Sequence, residues 1–239
     1  MFFTRVKNFI TLSSLYSCQL LRQLKGEKFV HVIGDSHTLA FQDCILKVHY
    51  IGAVTAYNLV NENSSSKGRE KLFKVINSLK KGEIVLLVFG EIDVRIHIYN
   101  QYMKKKKKIS IEKLVNNVVR NYGQVIEEIK EKDLRVCVYN IVPPGPLGNI
   151  YHYPHYAKWE LRLKITQMMN KQLQDFCRKN GIFFVDIFDQ VINQEKVSGT
   201  SFRKGEYIFD DVHLNDQVTK LVITALSKLR ILSAKMKTK

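Results

Sequence analysis

The run Ile84–Phe89 (Ile-Val-Leu-Leu-Val-Phe) constrains this chain more than any other stretch. Its apolar residues show no polar alternation, which predicts a strand covered on both faces, since a strand with one wet face alternates. Strand-like and helix-like segments take turns around it. Lys28–Ile33 and Lys47–Ile51 read as strands closed by Gly34 and Gly52. Leu134–Val142 reads as a fourth strand, ended by Pro143-Pro144-Gly145-Pro146, and Ile182–Val185 as a fifth. Gly68–Lys81, Ile111–Lys132, Tyr156–Asn180 and Asp216–Leu229 carry apolar residues at helical spacing, for example Leu114, Val118, Tyr122, Val125 and Ile129. Strands alternating with long helices form right-handed crossovers and a parallel sheet. The expected fold is a single three-layer α/β/α domain over residues 27–232, flanked by a leading segment (1–26) and a basic tail (233–239).

In such sheets ligands sit at the carboxyl ends of the strands, so the residues just after each strand are the ones to search. The first strand is followed by Gly34-Asp35-Ser36-His37, with Thr38–Gln42 able to start a helix. A serine at that turn lifts its hydroxyl above the sheet edge, and its N–H points where an anion is stabilised. A helix N-cap serine would fit the same local pattern. The second strand is followed by Gly52, whose N–H could approach an oxyanion. The third is followed by Gly90-Glu91-Ile92-Asp93, with Arg95 and His97 close behind, and Asn140 lies on the fourth. Far along the chain stands Asp210-Asp211-Val212-His213. An acid and an imidazole three apart in a loop can meet. The second ring nitrogen is then free to take a proton from a serine hydroxyl, a poor nucleophile without such a base.

These blocks, in this order, resemble the SGNH/GDSL hydrolases over Lys28 to about Leu229. Gly34-Asp35-Ser36 resembles the nucleophile block, Gly52 the glycine block and Asp210-x-x-His213 the terminal block. The resemblance implies a flavodoxin-like α/β/α fold and cleavage or transfer of acyl esters, often acetyl groups on carbohydrate, without a cofactor. It implies Ser36 as nucleophile, His213 as base, Asp210 as its orienting acid, and the Ser36 and Gly52 N–H groups as the oxyanion hole. One position departs from the family pattern: Ile92 stands where the Gly-x-Asn-Asp block has the Asn that donates to the oxyanion. Losing such a donor typically costs roughly 10² to 10³ in rate. Arg95 and Asn140 are the expected substitutes, since ionised Glu91 only accepts. The stretch from Phe89 to His97 looks like a variant branch seen in glycan-modifying proteins, in which Glu91, Arg95 and His97 line the site; Asp35, His37 and Asp93 are expected beside them.

Three functions remain open at this level: an esterase acting on a small acyl ester or acylated glycan, an O-acetyltransferase using the same triad, and a binding protein on a retired site. Charge bears on the third. Lys+Arg 38 against Asp+Glu 22 gives +16, which favours acidic partners. Half of that excess lies in Lys104–Lys108 and the tail lysines Lys235, Lys237 and Lys239, where solvated loop or terminus is the plain reading. No zinc-finger, basic-zipper or ribonucleoprotein pattern accompanies the charge, and neither a phosphate-binding glycine loop nor a dinucleotide fingerprint occurs.

Other features read more simply. Cys18, Cys44, Cys137 and Cys177 form no Cys-x-x-Cys pair and suit free thiols in a reducing, cytoplasmic setting. Residues 1–26 carry basic groups and no acid, with a short greasy patch. An amphipathic helix packed on the domain is expected, with a membrane-surface or secretory role as the alternative. His31 and His49 fall within strands and suit core or flank histidines. Tyr151, Tyr153, Tyr156 and Trp159 suit a sugar-facing loop better than His152 and His155 suit a metal, and no metal site is expected. Asp211 is off the Asp-x-x-His spacing and suits a loop-stabilising role.

Overall fold

The computed structural model describes residues 2–145, 157–192, 204–210 and 212–232, with side chains described from residue 13 onward. Its elements in chain order are α1 (Phe2–Leu24), β1 (Val30–Gly34), β2 (Leu46–Tyr50), α2 (Gly68–Ile76), β3 (Ile84–Val88), α3 (Ile98–Lys104), α4 (Ile111–Lys130), β4 (Arg135–Tyr139), α5 (Trp159–Lys179), β5 (Phe183–Val185), α6 (Phe188–Val191) and α7 (Val218–Lys228). The five strands form one sheet of order β2-β1-β3-β4-β5, every pair parallel. This is the flavodoxin-like order, in which the chain reverses direction across the sheet between β1 and β3 and opens a crevice there.

Both faces of the sheet are covered. On β3, Val85 and Leu87 enter one apolar layer with Leu114, Val118, Tyr122 and Ile165, from α4 and α5. Ile84, Leu86 and Val88 enter the opposite layer with Val218, Val222 and Leu226 of α7. The period of two in side-chain direction therefore splits one unbroken apolar run between two cores. Ser110 caps α4, its hydroxyl accepting from the Lys113 N–H at 3.2 Å.

One connection differs from expectation, and a second carries an element the sequence pattern hid. Residues after β1 make a single 3-10 turn, Ser36–Ala40, rather than the start of a helix. Phe41 is drawn into the core at 2% exposure, which ends the turn. The segment after β3, to which the sequence pattern assigned no element, is helical: residues 91–104 run as one helix whose turn at Asp93–His97 is widened to π geometry. Val94, Ile96 and Ile98 are all buried. Their spacing of two imitates a strand and masks the helical period. Wide turns of this sort occur often at functional sites.

Helix α1 is joined to the domain near its carboxyl end, where the Gln19 side-chain amide donates to the Leu46 carbonyl at 2.8 Å and Arg22 pairs with Glu27 at 2.8 Å. Tyr16, Leu20, Leu21 and Leu24 are exposed on it. Among the described residues no helix is long and apolar enough to cross a membrane. All four cysteines are unpaired, and burial pushes the Cys137 thiol up to about 12. The basic tail at 233–239 lies outside the described residues.

Candidate active site

Gly34 closes β1 opposite Tyr50 of β2 and Val88 of β3. A Cβ there would stand 2.0 Å from the Val88 carbonyl oxygen, so close strand approach requires glycine. Asp35 follows, 1% exposed, with its N–H on the Val88 carbonyl at 3.3 Å. Its carboxylate accepts from the His37 N–H at 2.9 Å, and its carbonyl accepts from the Thr38 hydroxyl at 2.8 Å. The chain thus folds into the short turn that carries Ser36. Helix α7 braces the far side of this turn: the Thr219 hydroxyl donates to the Ala40 carbonyl at 3.0 Å and accepts from the Gln42 N–H at 3.1 Å.

The second half of the site is a self-bonded loop. Asp210 Oδ1 accepts from the Val212 N–H at 2.7 Å and from the His213 N–H at 2.6 Å. This curls the four-residue block so that the imidazole meets the carboxylate of its own loop. His213 Nδ1 lies 2.8 Å from Asp210 Oδ2, and its Nε2 lies 2.8 Å from Ser36 Oγ. Partial burial pushes the Asp210 carboxyl up. The hydrogen bonds from the His213 ring and the two N–H groups outweigh it and hold the group below its ordinary value. A hydroxyl and an imidazole from opposite ends of the sequence therefore share one crevice.

His37 links the two halves. Its Nδ1 is 3.1 Å from Asp35 Oδ1 and its Nε2 is 3.1 Å from the Val212 carbonyl oxygen. Both partners are acceptors, so each contact is a hydrogen bond when the ring nitrogen facing it carries a proton. It lies tilted against the His213 ring, centroids 5.0 Å apart.

The oxyanion side rests on Ser36 and Gly52. Gly34 pairs with Tyr50, and the Ile51 N–H donates to the Gly34 carbonyl at 3.0 Å, so both residues sit two positions beyond a registered pair. Gly52 has φ +99°, a conformation that only glycine adopts readily. Neither its N–H nor that of Ser36 has a protein partner among the described residues.

Around this centre the remaining residues divide. Asp35, His37, Glu91 and Asn140 line one small cavity of about 10 Å³, room for a single water. Arg95 Nε is bound by both oxygens of Glu91, at 2.8 and 2.9 Å. Asn140 is buried and committed to backbone, donating to the Ile141 carbonyl at 3.0 Å and accepting from the Ile187 N–H at 2.9 Å. Neither expected substitute for the missing donor is therefore free of protein partners. Asp93 does not line the crevice. It is fully buried and accepts from the N–H groups of Ala56 and Tyr57, at 2.6 and 3.2 Å, tying the segment after Gly52 to the helix after β3. Burial, reinforced by the Asp35 charge, pushes its carboxyl up to about 7. His97 points elsewhere too: its ring lies on Tyr57, centroids 4.7 Å apart, and lines a different cavity. Both departures follow from the widened helical turn, which the sequence pattern concealed.

His31 and His49 contact each other at 3.0 Å, away from the triad. Tyr151, Tyr153, Tyr156, His152, His155 and Asp211 lie outside the described residues; among those described no group of three or more side chains able to hold a metal is found. The contacts of Thr219 and the bridging role of His37 went unread in the sequence; only the Gly-Asp-Ser-His order hinted at the latter.

A flavodoxin-like sheet with a serine hydroxyl, an imidazole and a carboxylate aligned at its carboxyl edge is the arrangement that acyl-ester chemistry at a serine calls for. Residues 30–226 match the GDSL-like lipase/acylhydrolase family, and the chain belongs to it. Similar solved structures include a GDSL-like lipase from Bacteroides thetaiotaomicron (16% identity, TM-score 0.58, 87% of this chain and 91% of that one). A carbohydrate acetylesterase from Sinorhizobium meliloti is also similar (11% identity, TM-score 0.54, 86% and 100%), as is an acetyl xylan esterase (16% identity, TM-score 0.50, 85% and 100%). No curated protein sequence matches this chain.

Proposed function

We propose that the protein is a serine esterase that removes small O-acyl groups, O-acetyl above all, from a carbohydrate. The observation that carries this reading is the continuous chain from Asp210 through His213 to Ser36, with both heavy-atom steps at 2.8 Å. Ser36 Oγ attacks the acyl carbon while His213 Nε2 takes its proton, and Asp210 holds the Nδ1–H and stabilises the imidazolium. The Ser36 and Gly52 N–H groups receive the developing oxyanion. His213 then returns the proton to the departing sugar oxygen, and water attacks the acyl-enzyme to release the carboxylate. Ile92 adds no donor, so the two backbone groups carry the oxyanion. Hydrolysis is favoured over transfer by the openness of the base: the side chains of His213 and Asp210 are 30% and 45% exposed, which lets water reach the acyl-enzyme. The sugar preference rests on the acetylesterases whose sheets resemble this one.

The test is acetate release from p-nitrophenyl acetate and acetylated xylan, with and without an added unacetylated saccharide. Acceptor-independent release that vanishes in Ser36→Ala supports the esterase. Release that requires the acceptor, with acetyl appearing on it, replaces the esterase with a transferase. Absence of both turnover and serine phosphonylation would sink the catalytic reading.

A further inference from the structure

A second recess lies between the helix after β3 and α4, with a cavity of about 210 Å³ and no lining residue in common with the small cavity beside Ser36. It exceeds the roughly 150 Å³ that holds a benzene ring in an engineered core. Its wall is polar: Tyr57, His97, Gln101, Lys105 and Asn117 converge on it, above a floor that includes Ile98 and Leu114. The Tyr57 hydroxyl, the His97 ring nitrogens, the two amides and the Lys105 ammonium make no hydrogen bond or ion pair with protein among the described residues. Half-buried polar side chains that line one recess without pairing with one another leave several hydrogen-bonding groups open to a single polar occupant. Burial, helped by the nearby Lys104 charge, pulls the His97 imidazole below its ordinary value, so at neutral pH it offers one donor and one acceptor.

The rim adds a charge that can be aimed. Lys106 and Lys107 stand at φ 49° and 60°, left-handed values usually left to glycine. The Lys107 N–H reaches back to the Tyr102 carbonyl at 2.9 Å, so the lysine run curls at the end of α3 with Lys105 on the recess. A solvated helix end would account for the lysines alone. It does not account for two amides, an imidazole and a phenol facing the same space.

We propose that this recess binds a monosaccharide-sized sugar acid, with hydroxyls taken by Asn117, Gln101 and His97 and the carboxylate by Lys105. The ring of Tyr57 and the apolar floor suit the C–H face of the sugar. The site is separate from the triad and holds whether or not Ser36 is catalytic.

The experiment is a heteronuclear NMR titration of the full chain, carried out in Ser36→Ala so that no turnover intervenes. D-glucuronate, D-glucose and sodium sulfate are added in turn at constant ionic strength. The expected result is saturable shifts of the Gln101 and Asn117 side-chain amides and the His97 ring with glucuronate, in the millimolar range, and weaker ones with glucose. Asn117→Leu and Gln101→Leu, on different helices, each weaken binding roughly fivefold, the loss of one hydrogen bond. The exposed Lys105→Gln removes the preference for glucuronate over glucose and keeps the fold. Shifts that never saturate, equal shifts with sulfate (an adventitious ion only), unchanged affinity in the leucine variants, or shifts centred on His213 would each overturn the site.

Discussion

The two halves of the proposed triad are held in opposite ways. The turn that carries Ser36 is part of the sheet: Asp35, His37 and Thr38 are 1%, 6% and 0% exposed, and β3 and α7 both hold it. His213 and Asp210 sit on a loop that bonds mainly to itself, with the Asp210 side chain 45% exposed. Preorganisation at the serine thus comes from packing, and at the histidine from a local carboxylate-to-backbone cage. Two bridges join the halves: Ser36 to His213, and His37 to the Val212 carbonyl. The lesson is that the rigid side can lose little without unfolding, whereas the loop side can lose activity and leave the fold standing.

Substitutions can break that contrast, beginning with the largest effect. His213→Ala should lower kcat/KM on p-nitrophenyl acetate by about 10⁴ or more, with no change in urea unfolding. Gly34→Ala should act in reverse, as a folding defect, because its methyl carbon meets the Val88 carbonyl at 2.0 Å. A loss of about 3 kcal/mol or more in urea midpoint analysis is expected. Asp210→Asn should cost about 10² in kcat with a small change in KM, less than at a buried triad acid, because water screens this one.

His37→Gln sharpens the comparison, since glutamine cannot donate to Asp35 and Val212 together with the same geometry. A fall of about tenfold in kcat is expected, because the turn carrying Ser36 and the loop carrying His213 lose their shared tie. An unchanged kcat would reduce His37 to a spacer.

The smallest effect is in the pH dependence of stability. Asp93, raised to about 7 by burial, contributes stability that is full below its unfolded value of 3.8 and lost as pH rises through about 7. His49, pulled down to about 4 by burial and by His31, contributes in the other sense. Its share is present above 6.5 and lost as pH falls toward about 4. The two oppose each other across the same window. Asp93→Asn should unmask the histidine contribution, so that its melting temperature falls on going from pH 7 to pH 4.5 more steeply than that of the parent chain. Parallel melting curves for the two proteins would contradict this assignment.

Much of the layered architecture was legible because burial on both faces leaves an unmistakable mark: Ile84–Phe89 has no polar residue to turn toward water. The triad candidates were legible because each lies beside a local signal, a Gly-Asp-Ser turn or an Asp-x-x-His loop. The helix after β3 was not, since its widened turn buries Val94, Ile96 and Ile98 at strand-like spacing. That one irregularity sends Asp93 inward and His97 to another cavity, and no linear pattern carries it.

What the amino-acid order determined by itself was periodicity and local chemistry, because side-chain direction in a strand and hydrogen bonding within a short turn depend on neighbours along the chain. Only the tertiary structure decided which groups meet. The contact between Ser36 and His213, the double engagement of His37 and the convergence on the recess around Asn117 all join residues distant in sequence. Such meetings are set by how layers pack and strands register, and packing is a property of the whole molecule.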